Sequence, residues 1–234
     1  MLKKIVVINS KGGCGKTTLS TNLASYYASI GLPTALFDYD PQDSAIRWLG
    51  QRPERNAKIH GVAAAHNPAA SITRSFQLRV PPETQRVILD TPASLKRMDL
   101  IEILRGVTAI IIPILPSTID SHVTARFIRD LASMTRTYAP AAPMAVVANR
   151  VRRNTRGFQM LVNFLEDLDM PPVAYLRDTQ NYIYAAEQGV GIYEMSANLT
   201  RSDRDQWRPL IDWLESPPPR LDTGTAVSGQ RCIA

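Results

Sequence analysis

Lys11-Gly12-Gly13-Cys14-Gly15-Lys16-Thr17-Thr18 is the stretch that decides how this chain folds. The apolar run Ile5-Val6-Val7-Ile8 stands before it, and a helix-forming stretch follows it. Strand, glycine-rich turn, lysine plus hydroxyl residue, and helix come in the order that a phosphate-binding loop requires. The glycines let backbone N–H groups curl around an anion without a Cβ in the way. A helix opening near Thr17 aims its positive end at the same point. Lys16 is placed to reach the β- and γ-phosphates of a nucleotide, and the Thr17 hydroxyl to hold magnesium. A glycine turn that only closed a strand–helix joint would have no need of Lys16-Thr17.

Working outward, strand and helix patterns alternate, which predicts an α/β fold: a doubly wound, mostly parallel sheet flanked by helices. Strands are expected over residues 4–9, 34–38, 60–65, 86–90, 109–114, 144–149 and 173–176. Most are continuous apolar runs, as strands covered on both faces should be. Helices are expected over 17–30, 43–49, 69–78, 98–104, 120–137, 155–168, 178–188 and 202–215. In the last, Trp207, Leu210, Ile211 and Leu214 fall on one face, a core-packing stripe. Residues 216–234, with Pro217-Pro218-Pro219 and little apolar content, are expected to form a disordered tail after a single domain over 1–215. Right-handed crossovers place the loops after the strands along one edge, where ligands bind in such folds.

Composition narrows the function. No stretch approaches the roughly 18 apolar residues that span a bilayer. The N-terminal apolar run is too short for a secretion signal. Cys14 and Cys232 suit neither a disulfide framework nor a metal cluster, so a reducing cytoplasm is the natural home. The net charge is +6. From Asp120 to Arg156 there are seven arginines against two aspartates and no lysine. Arginine pairs well with phosphate through its planar fork, although a charged stretch also serves as a solvated face.

Two further strand ends carry acids. Asp90 closes Val87-Ile88-Leu89 and matches the position of a carboxylate that contacts magnesium directly or through water. Asp38-Tyr39-Asp40-Pro41-Gln42-Asp43 follows the second strand. Hydrolysis of a phosphoanhydride needs a water aimed in line at the γ-phosphate, and a carboxylate here can orient it and accept its proton. The same residues can instead make a turn and cap the next helix, a task that suits Asp43 better than Asp38 or Asp40.

Lys11, standing where an ordinary phosphate loop begins with glycine, gives the loop its particular character. Lys-Gly-Gly-x-Gly-Lys-Thr-Thr resembles the deviant Walker A box of the ParA/MinD family of positioning ATPases, and the likeness covers residues 1 to 215. The resemblance implies a P-loop ATPase using ATP and Mg2+. Gly12, Gly13, Cys14, Gly15, Lys16, Thr17 and Thr18 would hold the phosphates. Lys11 would cross a homodimer interface to the partner's nucleotide; its plainer reading is a solvated surface charge. Asp40 would act on the water, Asp38 would support the magnesium shell, and Asp90 would serve as the Walker B acid. Asn149, ending Met144–Val147-Ala148, would read the adenine edge, and Leu176-Arg177-Asp178 would form the other base-side loop. Pro116-Ser117-Thr118-Ile119-Asp120 is similar to a run in small members of the family, with Ser117 and Asp120 better explained as a capping box.

The resemblance is strongest to the small McdA group, which spaces carboxysomes over the nucleoid, on Asp38-Tyr39-Asp40, Arg47-Trp48 and the short length. It implies an ATP-dependent dimer that grips non-specific DNA and lets go when a small adaptor on the cargo stimulates hydrolysis. Arg152, Arg153, Arg156, Arg201 and Arg204 are the DNA-contact candidates. An amphipathic, MinD-like C-terminal helix is not evident, so no membrane partner is expected; a membrane-associated ATPase is the alternative. An iron-protein type of the same superfold would need cysteines elsewhere.

Overall fold

The computed structural model describes residues 1–65, 80–116 and 121–216. Its strands are β1 Lys3–Val7, β2 Thr34–Asp38, β3 Ile59–Ala63, β4 Arg86–Asp90, β5 Ala109–Ile114, β6 Met144–Val151 and β7 Ala174–Arg177. Its helices are α1 Lys16–Ser29, α2 Ser44–Gly50, α3 Arg97–Leu104, α4 Ser121–Tyr138, α5 Arg156–Asp167, α6 Asn181–Glu187 and α7 Ala197–Glu215. The helix expected over 69–78, the Ser117–Asp120 capping box and the tail from 217 lie outside the described residues.

All seven strands run parallel in the order β3-β2-β4-β1-β5-β6-β7. From β1 the chain winds one way to β2, and from β5 it winds the other way to β6. The crevice therefore opens at the C-terminal end of β1, where the glycine loop sits. The central strands β1, β2, β4 and β5 are buried along most of their length, which is why they read as unbroken apolar runs.

Alternation along the strands splits the core into two layers. On one face, Ile103 and Leu104 of α3, Ile128 and Leu131 of α4, and Leu161 and Leu165 of α5 pack on Val6, Leu89, Ile110 and Val146. On the other, Leu19 and Leu23 of α1, Trp48 of α2, and Trp207 and Leu210 of α7 pack on Ile5, Val7, Ile88 and Val147. The stripe read in the last helix, Trp207, Leu210, Ile211 and Leu214, thus meets the sheet.

The last helix starts five residues before its expected beginning. Thr200 and Asp203 are buried there, because this first part of α7 packs against β7 and its loop. Pro209 sits inside α7 at an exposed position, where water can satisfy the carbonyl that loses its N–H partner. Among the described residues no helix is long and apolar enough to cross a membrane.

Candidate nucleotide-binding site

The loop between β1 and α1 needs its glycines at two places: Gly13 has φ +69° and Gly15 has φ +93°. Gly15 also caps α1 with no side-chain bond, so the first N–H groups of the helix point outward from a left-handed turn. Asn9 fixes the start of the loop: its Nδ2 donates to the Pro113 carbonyl at 2.7 Å, and its Oδ1 accepts from the Lys11 N–H at 3.0 Å. Lys16, a residue only 7% exposed, lies inside the turn, and its ammonium donates to the Lys11 carbonyl at 3.0 Å. Cys14 Sγ lies 4.0 Å from that ammonium, and burial pushes the thiol above its ordinary range.

Below the loop, β2 and β4 end level with each other, so Asp38 and Asp90 are register partners. Asp90 is fully buried. Burial pushes its carboxyl up to about 7; the Thr17 and Ser20 hydroxyls favour its charged form, while Asp38 opposes it. Ser20 Oγ sits 3.0 Å from Asp90 Oδ1. Asp90 Oδ2 is buried with no hydrogen-bond partner among the described residues. A carboxylate oxygen so placed, beside Thr17, suits a hard cation, and Mg2+ needs only one or two protein oxygens when phosphates and water complete its shell. The chemistry of the donor set therefore fits magnesium.

Asp38 does something the sequence assigned elsewhere. Its Oδ1 accepts from the Asp40 N–H at 3.0 Å, and its Oδ2 accepts from the Ala45 and Ile46 N–H groups at 2.8 and 3.1 Å. Asp38, not Asp43, therefore closes the N-terminus of α2. Asp43 occupies the N-cap position but takes φ +52° and makes no side-chain cap. The backbone turn swings Asp43 away and delivers the helix N–H groups to the strand end. Asp40, half-buried, accepts the Gln42 N–H at 2.9 Å and stands at the rim of the same loop.

Asn149 lies under the loop rather than in the open crevice. It is 3% exposed, its Nδ2 donates to the Cys14 carbonyl at 2.9 Å, and its Oδ1 accepts the Arg150 N–H at 3.0 Å. Each end of its amide makes one bond to the chain's own backbone, which leaves a second N–H and a second lone pair on the side chain. Asp178 receives Arg152 at 2.7 Å and Arg150 at 3.2 Å, and this pairing holds its carboxyl below the usual range. Arg177 faces the other way, pairing with buried Asp203. Leu115, Pro116, Arg150, Arg152, Thr155, Gly157 and Asp178 line a cleft of about 430 Å³ beside these strand ends.

Residues 5–192 match the CobQ/CobB/MinD/ParA nucleotide binding domain. The chain belongs to that family. Over 211 residues it is 27% identical to the maintenance of carboxysome distribution protein A of Halothiobacillus neapolitanus, covering 89% of this chain and 94% of that protein. Its fold superposes on the ATP complex of Cyanothece McdA with a TM-score of 0.64 and 16% identity, over 89% of this chain and 96% of the other. MinD in the MinC:MinD cell division complex of Aquifex aeolicus gives 0.67 and 17%, over 92% and 97%. The fold is that of the ParA/MinD ATPases.

The DNA-contact candidates lie on elements that pack on opposite faces of the sheet. Arg153 stacks over Tyr175 at 5.8 Å, on the α5 side of the sheet, and Arg156 is exposed at the start of α5. Arg201 is exposed on α7, on the opposite side, so the two groups flank edge strand β7. Arg204 is half-buried and held by its own chain. Its guanidinium donates to the Ile192, Tyr193 and Met195 carbonyls and to Thr200 Oγ1, and it stacks on Tyr193. Arg152 shares Asp178 with Arg150 but stays largely exposed.

Sequence reasoning missed the supports of the site. Asn22 on α1 accepts the Ile192 N–H through Oδ1 at 2.9 Å, and Trp48 Nε1 donates to the Val190 carbonyl at 3.3 Å. Arg52 clamps Glu194, which in turn accepts the Gly191 N–H. The loop after α6 thereby holds both α1 and α2. The signals available were weak: a polar Asn9 ending an apolar run, and a Ser-Thr-Asn cluster in a helix with no polar face.

Proposed function

We propose that this chain is an ATP-switched positioning ATPase that carries a large cargo over nucleoid DNA in the cytoplasm. The observation that carries the reading is the buried, unpartnered Asp90 Oδ2 beside Thr17, under a left-handed glycine loop with Lys16 inside it. Gly12, Gly13, Cys14, Gly15, Thr17 and Thr18 wrap the phosphates with backbone N–H groups, and Lys16 meets the terminal phosphates. Thr17 and Asp90, with Asp38 behind them, would hold magnesium, which supplies positive charge against the phosphate oxygens. The cleft lined by Arg150, Arg152 and Asp178 takes the adenosine end.

Asp40 orients a water and accepts its proton as the water oxygen bonds to the γ-phosphorus. The bond to the β-γ bridging oxygen breaks, leaving ADP and phosphate. Lys11, at the loop entrance, reaches the nucleotide of a second copy and makes the closed dimer depend on ATP. Dimer closure doubles the exposed arginines offered to DNA, with Arg152, Arg153, Arg156 and Arg201 as the contacts. Binding is then to phosphate and not to base sequence. A small adaptor on the cargo stimulates hydrolysis and releases the complex. The likeness to carboxysome distribution proteins supports a carboxysome as cargo.

The test is binding to non-specific duplex DNA with magnesium, comparing ATP, ADP and no nucleotide over a salt series. Binding confined to ATP, with a steep salt dependence, is expected. Equal binding in all three states, or none, would refute the DNA-riding switch.

A further inference from the structure

We infer that the outer face of α7 docks, antiparallel, on the same face of a second copy of this chain. Arg201, Asp205, Arg208 and Asp212 stand at i, i+4, i+7 and i+11 of the helix. They therefore form one stripe along it, and all four are exposed. Trp207, Leu210 and Leu214 lie on the opposite side, buried against the sheet. The stripe alternates in sign, and read from its other end the signs are reversed at the same spacing. Two copies laid antiparallel thus set Arg201 against Asp212 and Asp205 against Arg208, with the axis between Gln206 and Trp207. Each pairing occurs twice, as a self-complementary twofold contact requires.

These charges are not spent within their own helix. Arg201 and Asp205, like Arg208 and Asp212, repeat the order and spacing of Arg126 and Asp130 on α4. On α4 that i,i+4 pair closes to 3.8 Å. On α7 neither pair closes, and none of the four residues has an ion pair among the described residues. Both signs are left facing outward for a partner.

The stripe borders an open groove of about 870 Å³ between α1 and α7. Tyr26 and Tyr193 form its other wall, their ring centroids 4.7 Å apart. Arg204 fixes that wall, donating to the Ile192, Tyr193 and Met195 carbonyls while its own carbonyl accepts the Tyr193 hydroxyl at 3.1 Å. A surface already held in place loses little freedom on docking. The second helix brings arginine stems that can lie along the tyrosines. A polyanion would meet Asp205 and Asp212 along with the arginines, whereas a second α7 answers all four charges. One helix face is small for an interface, so the association is weak. The contact uses no residue of the phosphate loop and does not depend on nucleotide.

The experiment is sedimentation velocity of the full chain, from about 1 μM to a few hundred μM. Nucleotide, magnesium and DNA are left out, since Lys11 and Arg201 have other partners in the reading above. A monomer–dimer equilibrium that weakens as salt rises is expected. Arg208→Asp and Asp205→Arg each set like charges against each other twice across the axis. Each should raise the dimer Kd on the order of tenfold. Both positions are exposed, so both variants should keep the native fold. Mixed together, the two variants restore both pairings, and a heterodimer should form where each alone associates poorly. A chain that stays monomeric at every concentration would overturn the proposal. So would a dimer that ignores both reversals, or a mixture that associates no better than its parts. Dimers seen only with ATP would leave the Lys11 reading standing and overturn this one.

Discussion

Helices α1 and α5 both leave a strand at the same edge of the sheet, and they are held in opposite ways. Ten of the fourteen residues of α1 are buried, among them Lys16, Ser20, Thr21, Asn22 and Ser25. Polar groups so deep must be paired, and they are: Ser20 with Asp90, Asn22 with the Ile192 N–H, Ser25 with the Asn22 carbonyl. In α5, only Leu161 and Leu165 are buried, and Thr155 caps the start by accepting the Phe158 N–H. Apolar contact holds α5 down but is non-directional, whereas hydrogen bonds fix where α1 points. The helix that presents the phosphate loop is located by directional bonds; the helix that opens on exposed Arg156 needs only to be attached.

That contrast can be broken most forcefully at Leu161. Leu161→Ala removes the centre of the α5 stripe and should cost about 2–5 kcal/mol of stability by denaturant unfolding. ATP affinity of the remaining folded protein should stay unchanged, and a fall would show that α5 also positions the loop. Gly191→Ala attacks α1 instead. The new methyl would lie 1.7 Å from Ser25 Oγ and 2.8 Å from its Cβ, and Ser25 is too short and too deeply set to swing clear. The expected cost is about 1–3 kcal/mol. Here ATP affinity should fall as well, because α1 must shift.

Proton linkage sharpens the comparison on the α1 side. Burial raises Asp90 from 3.8 to about 7, so the folded chain holds a proton there that the unfolded chain releases. Metal-free protein should therefore lose thermal stability as pH rises from about 4 through about 7. Added magnesium should raise the Tm more above that window than below it, since metal and proton compete for one carboxylate. Asp90→Asn should abolish both trends; a retained magnesium response would move the metal elsewhere. The smallest effect belongs to exposed Arg156 on α5. Arg156→Ala should change stability by less than about 0.5 kcal/mol and reduce the slope of log affinity for DNA against log salt by about 1.

Much of the architecture was legible because parallel strands buried on both faces read as apolar runs. β2, β4 and β5 begin and end where the pattern put them, and the other strands differ by one or two residues. The phosphate loop was legible for a related reason: Gly13 and Gly15 take backbone angles that other residues seldom adopt, so composition reports conformation directly. Helix α2 shows the limit. Asp43 stands at the cap position in the sequence, yet the cap is Asp38, seven residues before Ala45, because a fold in the loop brings the strand end to the helix end. The arginines show it again. Arg152, Arg153, Arg156 and Arg201 count together as charge, but they flank β7 from two sides, and Arg204 is engaged with three carbonyls.

By itself, then, the sequence determined the parallel sheet, the phosphate loop and the pairing of Lys16-Thr17 with the acids ending β2 and β4. These follow from period, from glycine and from strand ends, which are properties of neighbours along the chain. Only the tertiary structure decided that Asp90 keeps an unpartnered oxygen, that Asp38 caps α2, and that Asn149 lies under Cys14. The cap on α2 depends on a folded loop that brings Asp38 to N–H groups seven and eight positions on, and Asp90 and Asn149 meet Ser20 and Cys14 across 70 and 135 positions. Desolvation and hydrogen-bond direction act through space, and no local pattern carries them.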